Sequence, residues 1–366
     1  DKTTFDLLQK RKIPLSSGYS VRWVNQGTIN NRGLELSIDA TPVATKDFEW
    51  ALSGNISFNR NSLRDLGFAV DKETIYLEKD KALQKRYYLG ENIASSTYLR
   101  APANIFVEGM PIGLFYGYKT DGIVQEGDLG KPLVEGGSPQ QPGQIKYVDM
   151  NGNGYIDDQD RTDIGSPLPK FTFGWNNTFR YKGFDLNIFL NGSYGNKVLN
   201  YSLMNGPSGG LASMRSAWVN QNNDAIKDRA QIVPIDPDKV YEGSNWYDDI
   251  TNVKVANTGT KTPRPTLNDP NDNDRLSTRY IEDGSYLRIK NLTLGYTFPK
   301  KWMQKAHFDN IRVYCNIQNL YTFTKYSGYD PEVGASTQDS SGYAYGVDNG
   351  RYPSPTTYSF GVSLSF

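Results

Sequence analysis

The run best suited to chemistry is DMNGNGYIDDQD, from Asp149 to Asp160. Numbered as a loop, it sets Asp149, Asn151 and Asn153 at positions 1, 3 and 5, Gly154 at 6, the Tyr155 carbonyl at 7, Asp157 at 9 and Asp160 at 12. Oxygen ligands at those offsets can wrap a hard cation, so calcium is the one cofactor the sequence brings forward. Asp160 stands where an EF-hand has glutamate, and its shorter arm makes bidentate closure harder. The same residues also suit a solvated Asn-Gly turn whose glycines supply positive φ. No EF-hand helices are expected on either reading.

Other chemistry is thin. Gly206-Pro207-Ser208-Gly209-Gly210 matches G-x-S-x-G, and His307 follows it in the order hydrolases use. A nucleophile elbow needs a strand before it and a helix packed behind a parallel sheet. Ser208 lies in a Pro/Gly stretch, so no catalytic residue is assigned. Cys315 falls on the apolar side of an alternating segment and reads as a small packed or lipid-facing residue. One cysteine and one histidine exclude an internal disulfide and a four-ligand Cys/His zinc site. Trp218, Tyr241, Trp246 and Tyr247 share one long connection and are the candidates for substrate contact, through stacking on sugar rings or peptide apolar groups. Packing the loop on itself, or meeting a lid, are the alternatives. Asp248 with Asp249, and the acidic stretch 268–274, read as solvated turns.

The 40 basic and 40 acidic side chains cancel, and no run of like charge stands out, so nucleic acid is not an expected partner. A length of 366 residues allows several soluble domains or one large β unit. No window approaches the ~18 consecutive apolar residues of a transmembrane helix. A transmembrane barrel stays open, because its strands alternate and its polar lumen lowers the mean hydropathy, here −0.61. The 25 Tyr, 16 Phe and 6 Trp among abundant Gly, Asn, Ser and Thr lean that way. The sequence opens at Asp1 with no leader, and the expectation is the C-terminal piece of something larger.

The elements that must carry these residues have a period of two. Leu34, Leu36, Ile38 and Ala40 alternate with Glu35, Ser37 and Asp39; Phe48, Trp50, Leu52, Ile56 and Phe58 continue the pattern after a Thr-Pro connection at 41–47. Phe171, Phe173, Trp175, Phe179 and Tyr181 oppose Thr172, Asn176, Thr178 and Arg180. Lys182-Gly183 then turns the chain into Phe184, Leu186, Ile188 and Leu190, predicting a tight hairpin over 171–194. Leu292, Leu294, Tyr296 and Phe298 follow, with the phase flipped upstream at Leu287 and Ile289, which indicates a bulge or a strand leaving its apolar surroundings. Ile311, Val313, Cys315, Ile317, Tyr321 and Phe323 make the next strand, and Tyr358, Phe360, Val362, Leu364 and Phe366 the last. A weaker segment from Thr3 to Gln9 brings the strands to eight. A short helix is conceivable only near 209–228.

Connections alternate short (41–47, 182–183, 299–309) with long (10–30, 60–170, 195–284, 324–356). Turns on one side and loops on the other are the signature of an outer-membrane barrel, whereas sandwich strands are shorter and more evenly spaced. If the short connections are periplasmic, strands ending at Gln9, Arg60, Tyr194 and Phe323 run outward and Phe366 lies in the periplasm. The segment from Ile112 to Val124 would break that count, so it belongs in a long external loop, where calcium would present it to substrate or lid.

The runs Gly109 to Val124 (GMPIGLFYGYKTDGIV), Lys182 to Asn196 (KGFDLNIFLNGSYGN), Tyr286 to Pro299 (YLRIKNLTLGYTFP) and Asn316 to Val333 (NIQNLYTFTKYSGYDPEV) carry a resemblance. In that order, spread over nearly the whole chain, they resemble the SusC-like TonB-dependent outer-membrane transporters of Bacteroidetes. The resemblance implies an all-β, antiparallel transmembrane barrel of 22 strands, of which residues 1–366 are the C-terminal portion. It also implies location in the outer membrane of a Gram-negative bacterium, and import of glycan oligosaccharides or, in some members, peptides. Implied partners are a SusD-like surface lipoprotein acting as a lid, the rest of the barrel and its plug, lipid, and TonB–ExbB–ExbD acting through an N-terminal part. No plug or TonB box is recognised in this chain, so energy coupling maps onto no residue here.

Three expectations follow. The apolar faces should meet lipid, with the Asn, Ser, Thr and charged faces toward a wet lumen. Eight strands should leave two unpaired edges. Tyr358, Phe360, Val362, Leu364 and Phe366 should act as an assembly signal as well as wall, the plainer alternative being an aromatic girdle. The competing function is a soluble β-rich glycan-binding or glycan-cleaving protein; an enzyme of that kind needs paired carboxylates about 5–9 Å apart, and no such pair is evident.

Overall fold

The computed structural model describes residues 1–12, 15–19, 21–67, 72–77, 81–90, 102–130, 132–134, 138–205, 227–242, 244–266, 271–303, 308–333 and 344–366. Eight strands form one antiparallel sheet in chain order. They are β1 (Lys2–Thr4), β2 (Thr28–Ala44), β3 (Phe48–Asp65), β4 (Phe171–Tyr181), β5 (Phe184–Tyr194), β6 (Tyr286–Thr297), β7 (Asn310–Thr324) and β8 (Thr357–Ser365). Among the described residues β1 and β8 have no partner on their outer sides, so the sheet is open at both edges.

Register carries the alternation of each strand across the whole sheet. Leu36 lies opposite Ile56 and Ile56 opposite Phe173. Further along the sheet, Trp175 faces Leu190 and Leu186 faces Leu294. Leu294 pairs with Cys315, and Cys315 with Phe360. Directly opposed residues share a face, so these strands present one continuous apolar surface, with Cys315 inside it as expected. Asn177 also falls on this face, where its carbonyl accepts the Trp50 indole N–H at 3.2 Å.

The opposite face is a polar ladder. Asn187 Nδ2 donates to Asn176 Oδ1 at 2.9 Å and to Thr178 Oγ1 at 3.0 Å. Thr293 Oγ1 donates to Asn316 Oδ1 at 3.1 Å. Nearer the short turns Arg180 meets Glu49 at 2.5 Å, and Arg312 forks onto Asp185 at 2.6 and 3.0 Å. Arg312 reaches Asp185 across β6 because residue 295 is glycine; a Cβ there would collide with both charged groups.

Several boundaries differ from the sequence reading. β1 stops at Thr4, and Leu8–Lys12 instead pairs with Val21–Asn25 in a separate hairpin. β2 runs on to Ala44 through a register shift between Ala40 and Val43, so the first short turn is only 45–47. The bulge absorbs Pro42, which cannot donate to a ladder. β3 reaches Asp65, past Arg60. The phase flip near Leu287 is a bulge: Ile289 pairs with Tyr321 and Asn291 with Gln318, leaving Lys290 outside the ladder. In the turn from β4 to β5, Lys182 and Gly183 both take positive φ, as a two-residue hairpin demands. Residues 209–226 lie outside the described residues.

In an antiparallel meander the connections β1–β2, β3–β4, β5–β6 and β7–β8 share one end, and beyond the hairpin of the first, the other three fold there into further sheets. A six-stranded sheet runs in the order Lys81–Lys85, Glu73–Leu77, Arg161–Gly165, Leu114–Tyr118, Asn104–Val107 and Tyr87–Leu89. A three-stranded sheet joins Ile281–Asp283, Lys197–Asn200 and Val347–Asp348 from three stretches of chain. Phe115, Leu199, Met204, Tyr280 and Val347 pack into one buried cluster. The hydrophobic core therefore sits mainly in the connections, joined by Leu63 at the loop end of β3. Leu114–Tyr118 is wholly buried at its centre, so this part of the Ile112–Val124 segment supports the loops from within and is not displayed to a substrate or lid.

Candidate functional site

The Asp149–Asp160 loop closes on its own backbone. Asp149 accepts from the N–H groups of Gly152 and Gly154, both at 2.7 Å. Asn151 accepts from Asn153 N at 2.9 Å, Asn153 from Tyr155 N at 2.8 Å, and Asp157 from Gln159 N at 2.8 Å. Asp160 accepts from Met150 N at 2.7 Å and Asp157 N at 2.8 Å. Burial pushes the Asp160 carboxyl above the usual range, against the pull of those two N–H groups. Gly152 and Gly154 both have positive φ. The residues at the calcium offsets are thus gathered in one loop, with Asp149, Asn151, Asn153, Asp157 and Asp160 capping N–H groups and Tyr155 pairing with Leu133. Among the described residues no group of three or more His, Cys, Asp or Glu stands ready to hold a metal.

Of the four aromatic candidates, Trp218 lies outside the described residues, as do Ser208 and His307. Tyr241 is built into the loop: its hydroxyl accepts from Asn252 Nδ2 at 2.8 Å and donates to Asp249 at 3.3 Å. Lys239, 2.6 Å from Asp249, holds that carboxyl down to about 2, together with Thr251. Trp246 is half-buried and meets Tyr247 edge to face at 5.8 Å; Tyr247 is exposed. Of the three described, Tyr247 is the most exposed.

Tyr358, Phe360, Val362, Leu364 and Phe366 all project from the sheet's outermost strand, Phe360 with 81% of its surface exposed. β7 covers one edge of that strand, with Cys315 opposite Phe360 and Ile311 opposite Leu364.

The most strongly built polar cluster was not picked out by residue type and spacing. Arg288, 2% exposed on the polar face of β6, donates Nη2 to Asp330 at 2.5 Å, Nη1 to Glu332 at 2.8 Å and Nε to Thr322 Oγ1 at 2.8 Å. Asp330 also accepts from Glu332 N at 3.0 Å and Ser354 N at 3.1 Å. The Tyr286 ring lies 5.4 Å from the guanidinium. This clamp fastens the connection after β7 onto the wall. Its one signal in the sequence is that YLRIKNL and YDPEV sit in two of the runs that carry the resemblance, which gives them no role by itself.

No family model matches the chain. The chain is 32% identical over 368 residues to TonB-dependent receptor P3 of Formosa agariphila, covering 99% of this chain and 31% of that protein. It is 28% identical over 367 residues to TonB-dependent receptor SusC of Bacteroides thetaiotaomicron, covering 100% of this chain and 29% of that one. The fold superposes on the RagAB peptide transporter with a TM-score of 0.66 at 22% identity, over 100% of this chain and 32% of that one. The chain spans about a third of the length of the curated relatives it matches. An eight-strand antiparallel meander, apolar on one face and polar on the other, matched end to end by these proteins, is part of an all-β outer-membrane barrel wall, and the chain belongs to the SusC-like TonB-dependent receptors.

Proposed function

We propose that the whole receptor imports a nutrient oligomer, an oligosaccharide, across the outer membrane of a Gram-negative bacterium. Energy comes through TonB–ExbB–ExbD, and a SusD-like lipoprotein covers the mouth. The observation that carries this is the two-faced wall: lipid satisfies the apolar side, and the Asn, Thr and ion-pair ladder lines a wet passage. Exposed rings at the loop end, Tyr247, Tyr329 and Tyr352, support a sugar as cargo. A cargo of peptide is the second reading, favoured by the fold shared with a protein described as a peptide transporter. Cells deleted for the receptor should lose uptake of labelled oligosaccharide, and collapsing the proton-motive force should abolish uptake in cells that keep it. Uptake that survives both treatments would sink the import reading.

Calcium at Asp149–Asp160 belongs to the same proposal, supported by oxygen donors at six of the loop's ligand offsets. Titration of calcium into the whole receptor should release heat that Asp149→Ala removes; a flat titration leaves the turn alone.

The β8 face is proposed as an assembly signal, since an exposed edge strand can be recognised by strand addition. Changing Leu364 and Phe366 to serine should cut the amount of receptor in the outer membrane severalfold while the inserted fraction still imports. Unchanged surface levels would leave only the girdle role.

A further inference from the structure

A cleft of about 560 Å³ opens on the polar face at the loop end of the wall, a size typical of small-ligand sites. Thr172, Ser193, Tyr286 and Lys290 line it from the wall, and Arg351 and Tyr352 from the connection between β7 and β8. Lys290 is the bulge residue of β6. Against β5 it is the extra residue between Ile289, opposite Leu190, and Asn291, opposite Phe189, and a bulge is a means of re-aiming one side chain. The ammonium of Lys290 and the guanidinium of Arg351 form no ion pair or side-chain hydrogen bond among the described residues. The two carboxylates in the lining, Asp330 and Glu332, are both engaged by Arg288, 2.5 and 2.8 Å away.

The cleft therefore offers two cations without a carboxylate of their own among the described residues, the Thr172 hydroxyl, the Ser193 hydroxyl as an acceptor while it donates to Asn196 Oδ1 at 3.0 Å, and the rings of Tyr286 and Tyr352, the latter 83% exposed. Two cations lining one cleft select a ligand that carries anionic groups, and guanidinium pairs well with planar carboxylates and with sulfate. Flat rings and hydroxyls suit the faces and edges of sugar units. We propose that this cleft is a subsite for an acidic oligosaccharide bearing carboxylate or sulfate groups, with Lys290 and Arg351 as its anion contacts. This rests on the import reading and names the cargo class within it.

The test is calorimetric titration of the whole receptor with four probes: a galacturonate tetrasaccharide, a sulfated carrageenan tetrasaccharide, maltotetraose and tetraglutamate. At least one acidic sugar should bind, with affinity that falls as salt rises, and Lys290→Gln/Arg351→Gln should weaken it by about tenfold or more. Maltotetraose should bind more weakly than that sugar and equally to both proteins. The double variant should melt like the wild type, because neither side chain has an ion pair or side-chain hydrogen bond among the described residues. The proposal fails if neither acidic sugar binds, if the variant binds as tightly as the wild type, or if maltotetraose binds as well as the acidic sugars. Tighter binding of tetraglutamate would overturn it in favour of an acidic peptide. Uptake in cells reads the import reading separately: energised uptake with unchanged binding in the variant overturns the cleft alone, whereas uptake independent of the proton-motive force overturns import whichever residues bind.

Discussion

Replacing Arg288 with alanine should destabilise the loop end of the receptor by about 3–5 kcal/mol, because it strips a buried carboxylate of its counter-charge. Arg288 is 2% exposed and holds Asp330, Glu332 and Thr322 at once. Without it Asp330 keeps, among the described residues, the N–H groups of Glu332 and Ser354, too few to replace what water gave the ion. The measurement is amide hydrogen exchange at Glu332 and Ser354, alongside thermal unfolding of the whole receptor. Both amides should lose protection in Arg288→Ala, and Arg288→Lys should recover only part of it, since a single ammonium cannot fork across two carboxylates. Unchanged exchange would show that the clamp is ornamental.

The same clamp has a pH signature. Burial raises the Asp330 carboxyl, but the N–H groups of Glu332 and Ser354 and the Arg288 guanidinium outweigh it and hold the group below the usual range. A depressed folded-state pKa contributes stability that is present above the unfolded value of about 3.9 and lost as pH falls through the folded one. The protection factor at Ser354, the intrinsic exchange rate divided by the observed one at the same pH, should therefore fall in acid, below about pH 4, in the wild type and far less in Arg288→Ala.

Asn104→Ala is the second large expected effect. Asn104 is fully buried, and its amide acts as a length of borrowed backbone: Nδ2 donates to Gly113 O at 2.7 Å and Tyr345 O at 3.2 Å, while Oδ1 accepts from Tyr345 N at 2.9 Å. Alanine leaves these main-chain groups without partners, at about 1–3 kcal/mol for each that stays buried and unsatisfied. Asn104→Asp should be at least as harmful, because it keeps the acceptor but turns a negative charge toward two carbonyl oxygens. Loss of protection at the Tyr345 amide, with the strand amides of the wall unchanged, would confirm a local joint between the connections after β3 and β7. A wild-type exchange rate in both variants would remove the joint.

Residue types and their order alone determined the wall. Leu34 to Ala40, Phe171 to Tyr181 and Tyr358 to Phe366 alternate because each strand faces two solvents of opposite polarity, and that demand is written into every second residue. Tight turns were legible for the same local reason: two residues between alternating segments can close a hairpin only with positive φ, which Lys182 and Gly183 adopt. The phase flip at Leu287 pointed to the bulge, though not to what the displaced Lys290 would face.

What the tertiary structure decided lies in contacts between residues far apart in the chain. Arg288 reads as one more polar residue on an alternating strand until Asp330 and Glu332 arrive from 42 and 44 residues away. Asn104 gives no hint of Tyr345, 241 residues on. Leu114, Tyr116 and Tyr118 show the same period of two as a wall strand, and only the six-stranded sheet places them in a buried core. Alternation reports that a strand has two environments; it cannot say which environments those are when both are protein. Local propensity and periodicity fix each strand's faces, while the partners that turn a face into a core, a clamp or a cleft are chosen by closure of long connections, whose entropic cost depends only weakly on how many residues they span.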